Sequence, residues 1–251
     1  MQNIVSTLVT ALCGAMIAVA AVIVMTNAGL MPVNEIQLRN YLLTHPQLVS
    51  EMAQGAQRLE EQQVAAQREA TIKKIGINAF FDPKIAFVTG PEKAANTIVE
   101  FYDYDCPFCR ASLPAVQKIY EQRKHDTRFA FIEMPLQELH GESAMMAARA
   151  SVVVARLEPG KFLPFHYALM SRSEQITEAM VFEDAQKAGI NVARLRAEMN
   201  KPEIAAAVNA SYNFAKKAGL DGTPTFVING VMYPGAMDEA GFNAALKKKA
   251  S

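Results

Sequence analysis

The sequence predicts an α/β domain: a small sheet with helices on both faces, interrupted by a helical block and preceded by a helical arm. Three observations predict it. Residues 97–104, TIVEFYDY, are β-branched and aromatic, and a helix start follows them at once. A second strand pattern, residues 127–134, is separated from the first by a helical stretch. Far downstream, Asn229-Gly230 stands between two short apolar runs, which is a two-residue hairpin turn.

The elements follow in order. Residues 4–25 carry no charged side chain, and the first charged side chain after the N-terminus is Glu35. Twenty-two helical residues reach about 33 Å, enough to cross a bilayer core. The first 30 residues therefore read as a signal anchor or a cleaved signal peptide, and either exports the rest. A cleaved signal has a shorter apolar core and a basic start, and neither is present here, which favours the anchor. Cys13 lies in this segment and reads as an apolar filler, because hydrocarbon opposes a thiolate.

Residues 31–75 read as a helical stalk. Thr44-His45-Pro46 punctuates it, with Thr44 as a cap and Pro46 in a first helical turn. Val49, Met52, Ala56, Leu59, Gln63, Ala66 and Ala70 fall at a 3-4 spacing, flanked by charges. This seam fits either a self-associating stalk or one amphipathic helix lying on the domain.

Residues 76–251 read as the main domain. Pro107 opens a helix running to about residue 124. After the strand at 127–134 comes the helical block, about residues 140–202. Residues 203–218 form a further helix closed by Gly219, residues 225–228 and 231–233 form the hairpin, and 238–249 the last helix.

Composition excludes several function classes. Lys plus Arg and Asp plus Glu both count 25, so no global basic surface draws the chain to nucleic acid. Three cysteines, Cys13, Cys106 and Cys109, make no framework of structural disulfides and no four-cysteine zinc site within one chain. The four histidines show no ligand spacing, so no metal and no cofactor beyond the cysteine pair is expected.

Cys106-Pro107-Phe108-Cys109 carries the chemistry. Two cysteines so spaced at a helix start can close a small disulfide. The first sulfur meets free backbone N–H groups and the positive helix end, which stabilise a thiolate. A lowered pKa makes it both nucleophile and leaving group. Cys106 is thus the expected nucleophile and Cys109 the resolving thiol. The competing readings are half of an intersubunit metal site and a structural loop disulfide. Glu100, an acid mid-strand, is costly in a buried sheet unless it has a purpose. Asp105 directly precedes Cys106, and a carboxylate pointing at the sulfur would raise its pKa.

Glu-Phe-Tyr-Asp-Tyr-Asp-Cys-Pro-Phe-Cys at 100–109, with Gly222-Thr223-Pro224-Thr225-Phe226 downstream, resembles the DsbA-like branch of the thioredoxin superfamily over about residues 80–250. The preceding helical segment resembles that of its suppressor-of-copper-sensitivity (ScsC) relatives, whose N-terminal helix can mediate trimer formation. The resemblance implies a thioredoxin fold with an inserted helical domain. It implies that Pro224 is a cis-proline beside the disulfide, exposing the Thr223 backbone to an extended substrate. It implies that Glu100 assists proton transfer at the buried cysteine. Asp105, if it points at the sulfur, and Phe108 in place of the DsbA histidine depart from DsbA itself and point to a less oxidising centre; Thr223, where DsbA has valine, is the residue type found in the superfamily's disulfide isomerases.

The expected function is therefore an exported, periplasmic or extracytoplasmic thiol–disulfide oxidoreductase, tethered to the inner membrane by residues 4–25. It leans to reductase or isomerase, with a DsbA-type oxidase as the alternative. Implied partners are exported proteins with cysteines, a DsbD/ScsB-like membrane reductant or a DsbB-like oxidant, and two further copies of the chain through residues 31–75. Readings of another class are a non-catalytic, chaperone-like peptide-binding module and a copper-handling protein.

Overall fold

The computed structural model describes residues 34–248. The segment at 4–25 and Cys13 lie outside the described residues. Among the described residues, no helix is long and apolar enough to cross a membrane. The chain divides into two compact units, residues 1–61 and 62–251.

In the first unit, α1 (Glu35–Thr44) begins at Asn34, whose side chain accepts from Ile36 N–H at 3.0 Å. α2 (Pro46–Ile75) starts on Pro46. Thr44 is not the cap expected for it. The Thr44 hydroxyl instead donates back to the carbonyls of Asn40 and Tyr41, closing α1. Val49, Met52 and Leu59 of the predicted seam are exposed, as are Ile36, Tyr41 and Leu43. The last turns of α2 belong to the second unit, where Ile72 is buried against Phe80 and Phe81 of a short 3₁₀ turn (Ile77–Phe81).

The second unit is built on a five-stranded sheet of order β1-β3-β2-β4-β5. Its strands are β1 (Phe87–Thr89), β2 (Asn96–Tyr102), β3 (Thr127–Glu133), β4 (Thr225–Ile228) and β5 (Val231–Pro234). β2 and β3 are parallel, joined by α3 (Pro107–Arg123), and every other pairing is antiparallel. β1 was not expected. It is three residues long and too short to show a period, and it pairs with β3 through Phe87 and Phe131. At the hairpin, Asn229 and Gly230 have φ of 50° and 84°, the left-handed values that a type I′ turn demands.

The helical block comprises α4 (Gln137–His140), α5 (Glu142–Leu157), α6 (Phe162–Met170), α7 (Glu178–Lys187) and α8 (Val192–Glu198). α9 (Pro202–Lys217) and α10 (Glu239–Leu246) complete the unit.

Period-two alternation gives the sheet two cores. Val99, Phe101, Ala130, Ile132 and Val227 face Ile72, Phe80 and the end of α9. Ile98, Tyr102, Phe129, Phe131, Phe226 and Ile228 face α3, the helical block and α10. Glu100, between Ile98 and Tyr102, falls by the same alternation on this second face.

Candidate active site

β2 ends at Tyr102, and the turn 103–105 delivers the chain into α3. Cys106 is the N-cap of α3 and Pro107 its first residue. The turn is closed by Cys106 N–H donating to the Asp103 carbonyl at 3.1 Å. Proline suits this place because its missing N–H is one of the groups a helix start leaves unpaired anyway. Cys109 lies one turn in and is fully buried, whereas Cys106 is 3% exposed. Phe108 between them projects into solvent, 62% exposed.

The second half of the site comes from the far end of the chain. The Thr223-Pro224 bond is cis. The Cys106 thiol donates to the Thr223 carbonyl at 3.2 Å. The Thr223 hydroxyl is buried without a hydrogen-bond partner. The Thr223 side chain favours the Cys106 thiolate.

The electrostatics separate the two cysteines. The Cys106 pKa is lowered to about 6. A hydrogen bond from the Cys109 thiol is the main cause, followed by the Thr223 side chain and the N–H groups of Cys109 and Phe108, with burial opposing. Burial chiefly, with the Cys106 sulfur and the Glu100 charge, pushes the Cys109 thiol well up. Cys106 is thus equipped to be a thiolate near neutral pH while Cys109 keeps its proton. Burial also pushes Glu100 up to about 8, and one of its carboxylate oxygens has no hydrogen-bond partner.

Asp105, directly before Cys106, is bonded on its other sides. Its carboxylate is engaged by Arg110 Nη2 at 3.1 Å, the Ile176 N–H at 2.7 Å and the Ser143 hydroxyl at 2.6 Å. The Cys106 pKa lies below the ordinary thiol value, not above it. Asp103, also buried, accepts from the N–H groups of Asp105 and Leu136 and bonds His140 Nδ1 at 2.8 Å.

A buried network beneath the turn was not anticipated. Tyr102 donates to Glu133, its register partner on β3. The hydroxyls of Tyr102 and Tyr104 both meet Ser151 Oγ, at 3.2 and 3.0 Å, and Tyr104 also bonds His166 Nδ1 at 3.0 Å. Desolvation pushes the Glu133 carboxyl well up and His166 down to about 3, so the imidazole is uncharged at neutral pH. The signal was present in the sequence as two tyrosines alternating with two aspartates. The tyrosines' partners Ser151 and His166 lie up to 62 residues away, in the helical block.

The model of the family described as Thioredoxin matches residues 84–248. A thioredoxin-like oxidoreductase from Silicibacter pomeroyi is 33% identical, with 67% of this chain and 93% of that one covered at a TM-score of 0.59. A linker-deletion variant of ScsC from Proteus mirabilis superimposes with a TM-score of 0.65 over 86% of this chain and 96% of its own, at 22% identity. Disulfide bond formation protein D of Bacillus subtilis is 29% identical over 152 residues, 57% of this chain and 67% of that protein. The chain also matches Na(+)/H(+) antiporters, such as NhaA 3 of Salinispora tropica, at 28% identity over 66% of its length, but spans only 25% of that protein. The family match runs along well over half of the chain, and this chain belongs to the thioredoxin family.

Proposed function

We propose that this chain is an exported thiol–disulfide oxidoreductase that exchanges disulfides with cysteine-containing proteins. One observation carries the reading: a nucleophile with its pKa lowered to about 6 sits against the Thr223 carbonyl, above a resolving thiol that stays protonated.

The Cys106 thiolate attacks a substrate disulfide, forming a mixed disulfide and releasing one substrate thiolate. The Cys109 thiol loses its proton and attacks the Cys106 sulfur. That step releases the second substrate thiolate and leaves the Cys106–Cys109 disulfide, so the substrate gains two electrons and the pair loses them. Glu100 accepts the Cys109 proton. A carboxylate in water is too weak a base for this, but one lifted to about 8 by burial is matched to the task. Run backwards, the same steps oxidise a substrate. Thr223 and Pro224 form the docking edge, where an extended substrate pairs with the Thr223 backbone.

The direction we favour is reduction or isomerisation. A nucleophile pKa of about 6 falls between the values near 7 of thioredoxin and near 3.5 of DsbA. A thiolate less stabilised than DsbA's leaves a less oxidising disulfide. A membrane reductant of DsbD/ScsB type would then recharge the pair; a DsbB-like oxidant serves the oxidase alternative. Residues 4–25 place the site outside the cytoplasm, and residues 31–75 assemble it into trimers.

The test is a pair of variants. Cys106→Ser should abolish disulfide exchange, and Cys109→Ser should accumulate mixed disulfides with substrate proteins. Full exchange activity in Cys106→Ser would end the proposal. The reduction potential of the pair then assigns the direction.

A further inference from the structure

Asp105 and Arg110 form an ion pair set into the redox turn, with side chains only 4% and 16% exposed. The guanidinium makes three further bonds, all to carbonyls. Nε donates to Tyr104 at 3.0 Å, Nη1 to Ser173 at 3.0 Å and Nη2 to Glu174 at 2.8 Å. Ser173 and Glu174 belong to the segment between α6 and α7, and the next stretch of that segment supplies the Ile176 N–H to Asp105. One cation therefore gathers the residues before Cys106 and a loop of the helical block.

Two consequences follow from charge and shape. A buried carboxylate next to a thiolate disfavours it, and a cation bonded to that carboxylate cancels the effect. A planar fork can also reach four acceptors at once, which an ammonium on a single stem does not match.

We propose that Arg110 is a positioning residue for the redox reaction: it neutralises the carboxylate of Asp105, the residue before Cys106, and pins the 173–176 segment against the redox turn. The inference rests on Cys106 being the nucleophile. Arg110 is what allows an acid to stand directly before it. The other ionisable groups around the turn are Asp103 with His140, Glu174, whose carboxylate accepts from the Ser173 hydroxyl, and Cys109 with Glu100 on the sheet side.

The experiment titrates the Cys106 thiolate by ultraviolet absorbance in the reduced full chain. Arg110→Met should raise the Cys106 pKa by about one unit, a tenfold change in its ionisation equilibrium. Adding Asp105→Asn to that variant should return the value to within about half a unit of wild type, because the uncompensated charge is gone. Arg110→Lys should keep the pKa near wild type while amide exchange at 173–176 speeds up. An unshifted Arg110→Met overturns the proposal. So does an equal shift in the single and double variants, which is what a merely structural role produces. If Arg110→Met does not fold, Asp105→Asn decides: with Arg110 retained it must lower the Cys106 pKa, and a rise or no change overturns the idea. The titration needs no substrate, so it stands or fails separately from the exchange activity of Cys106→Ser.

Discussion

The Cys106 thiol donates to the Thr223 carbonyl at 3.2 Å, joining two residues 117 positions apart. The buried Thr223 hydroxyl has no other hydrogen-bond partner, and the Thr223 side chain contributes to the lowered Cys106 pKa. A hydrogen bond to a charged group contributes about 1.5 kcal/mol, close to one pKa unit. Thr223→Val should therefore raise the Cys106 pKa from about 6 by about one unit, read from the pH dependence of alkylation. An unchanged or lower value would mean the hydroxyl takes no part.

How far the sequence disclosed this arrangement depends on range. β2, the CxxC helix start and the Asn229-Gly230 hairpin were legible because each rests on local periodicity or turn chemistry. The setting of Asp105 was not legible because sequence shows adjacency but not direction. Its charge is cancelled by Arg110 one turn on, and its remaining lone pairs are taken by Ser143 and Ile176. Glu133, Ser151 and His166 were invisible as a site because each is an unremarkable residue in its own element. They become a network only when the helical block folds onto β2 and β3. Thr44 was read as starting a helix when it ends one, since a hydroxyl can serve carbonyls behind it as well as N–H groups ahead.

The stalk proposal makes a solution prediction. Met52 is 69% and Leu59 61% exposed, and both lie in the predicted seam. Single apolar side chains in water are ordinary, but a row of them along one seam is what a partner helix covers. Met52→Glu with Leu59→Glu should reduce the sedimentation mass to that of one chain while leaving the Cys106 pKa unchanged. Truncation must stop before residue 62, because Ile72 is a core residue of the second unit and its removal would damage the fold. A wild-type chain that sediments as a monomer rules out assembly through this segment.

Glu100 ties the proposed chemistry to stability. Its folded pKa, about 8, lies above the ordinary 4.5 through desolvation alone. Between these values the folded state holds a proton that the unfolded state has released, so stability falls as pH rises through the window. Glu133 acts in the same sense, while His166, lowered from 6.5 to about 3, makes stability fall as pH drops through its own window. Cys106 would oppose Glu100 in the reduced protein, since its folded pKa is depressed from 9.0 to about 6, so the oxidised protein is the cleaner sample. There, Glu100→Gln should be more stable than wild type by about 3 kcal/mol near pH 8, allowing for relaxation around a buried carboxylate. The advantage should shrink as pH falls and largely vanish below 4.5, where Glu100 is protonated in both states. Urea midpoints measured from pH 4 to pH 8 would show it. A constant difference across that range would mean that Glu100 does not carry the buried proton, and would remove it as the acceptor for Cys109.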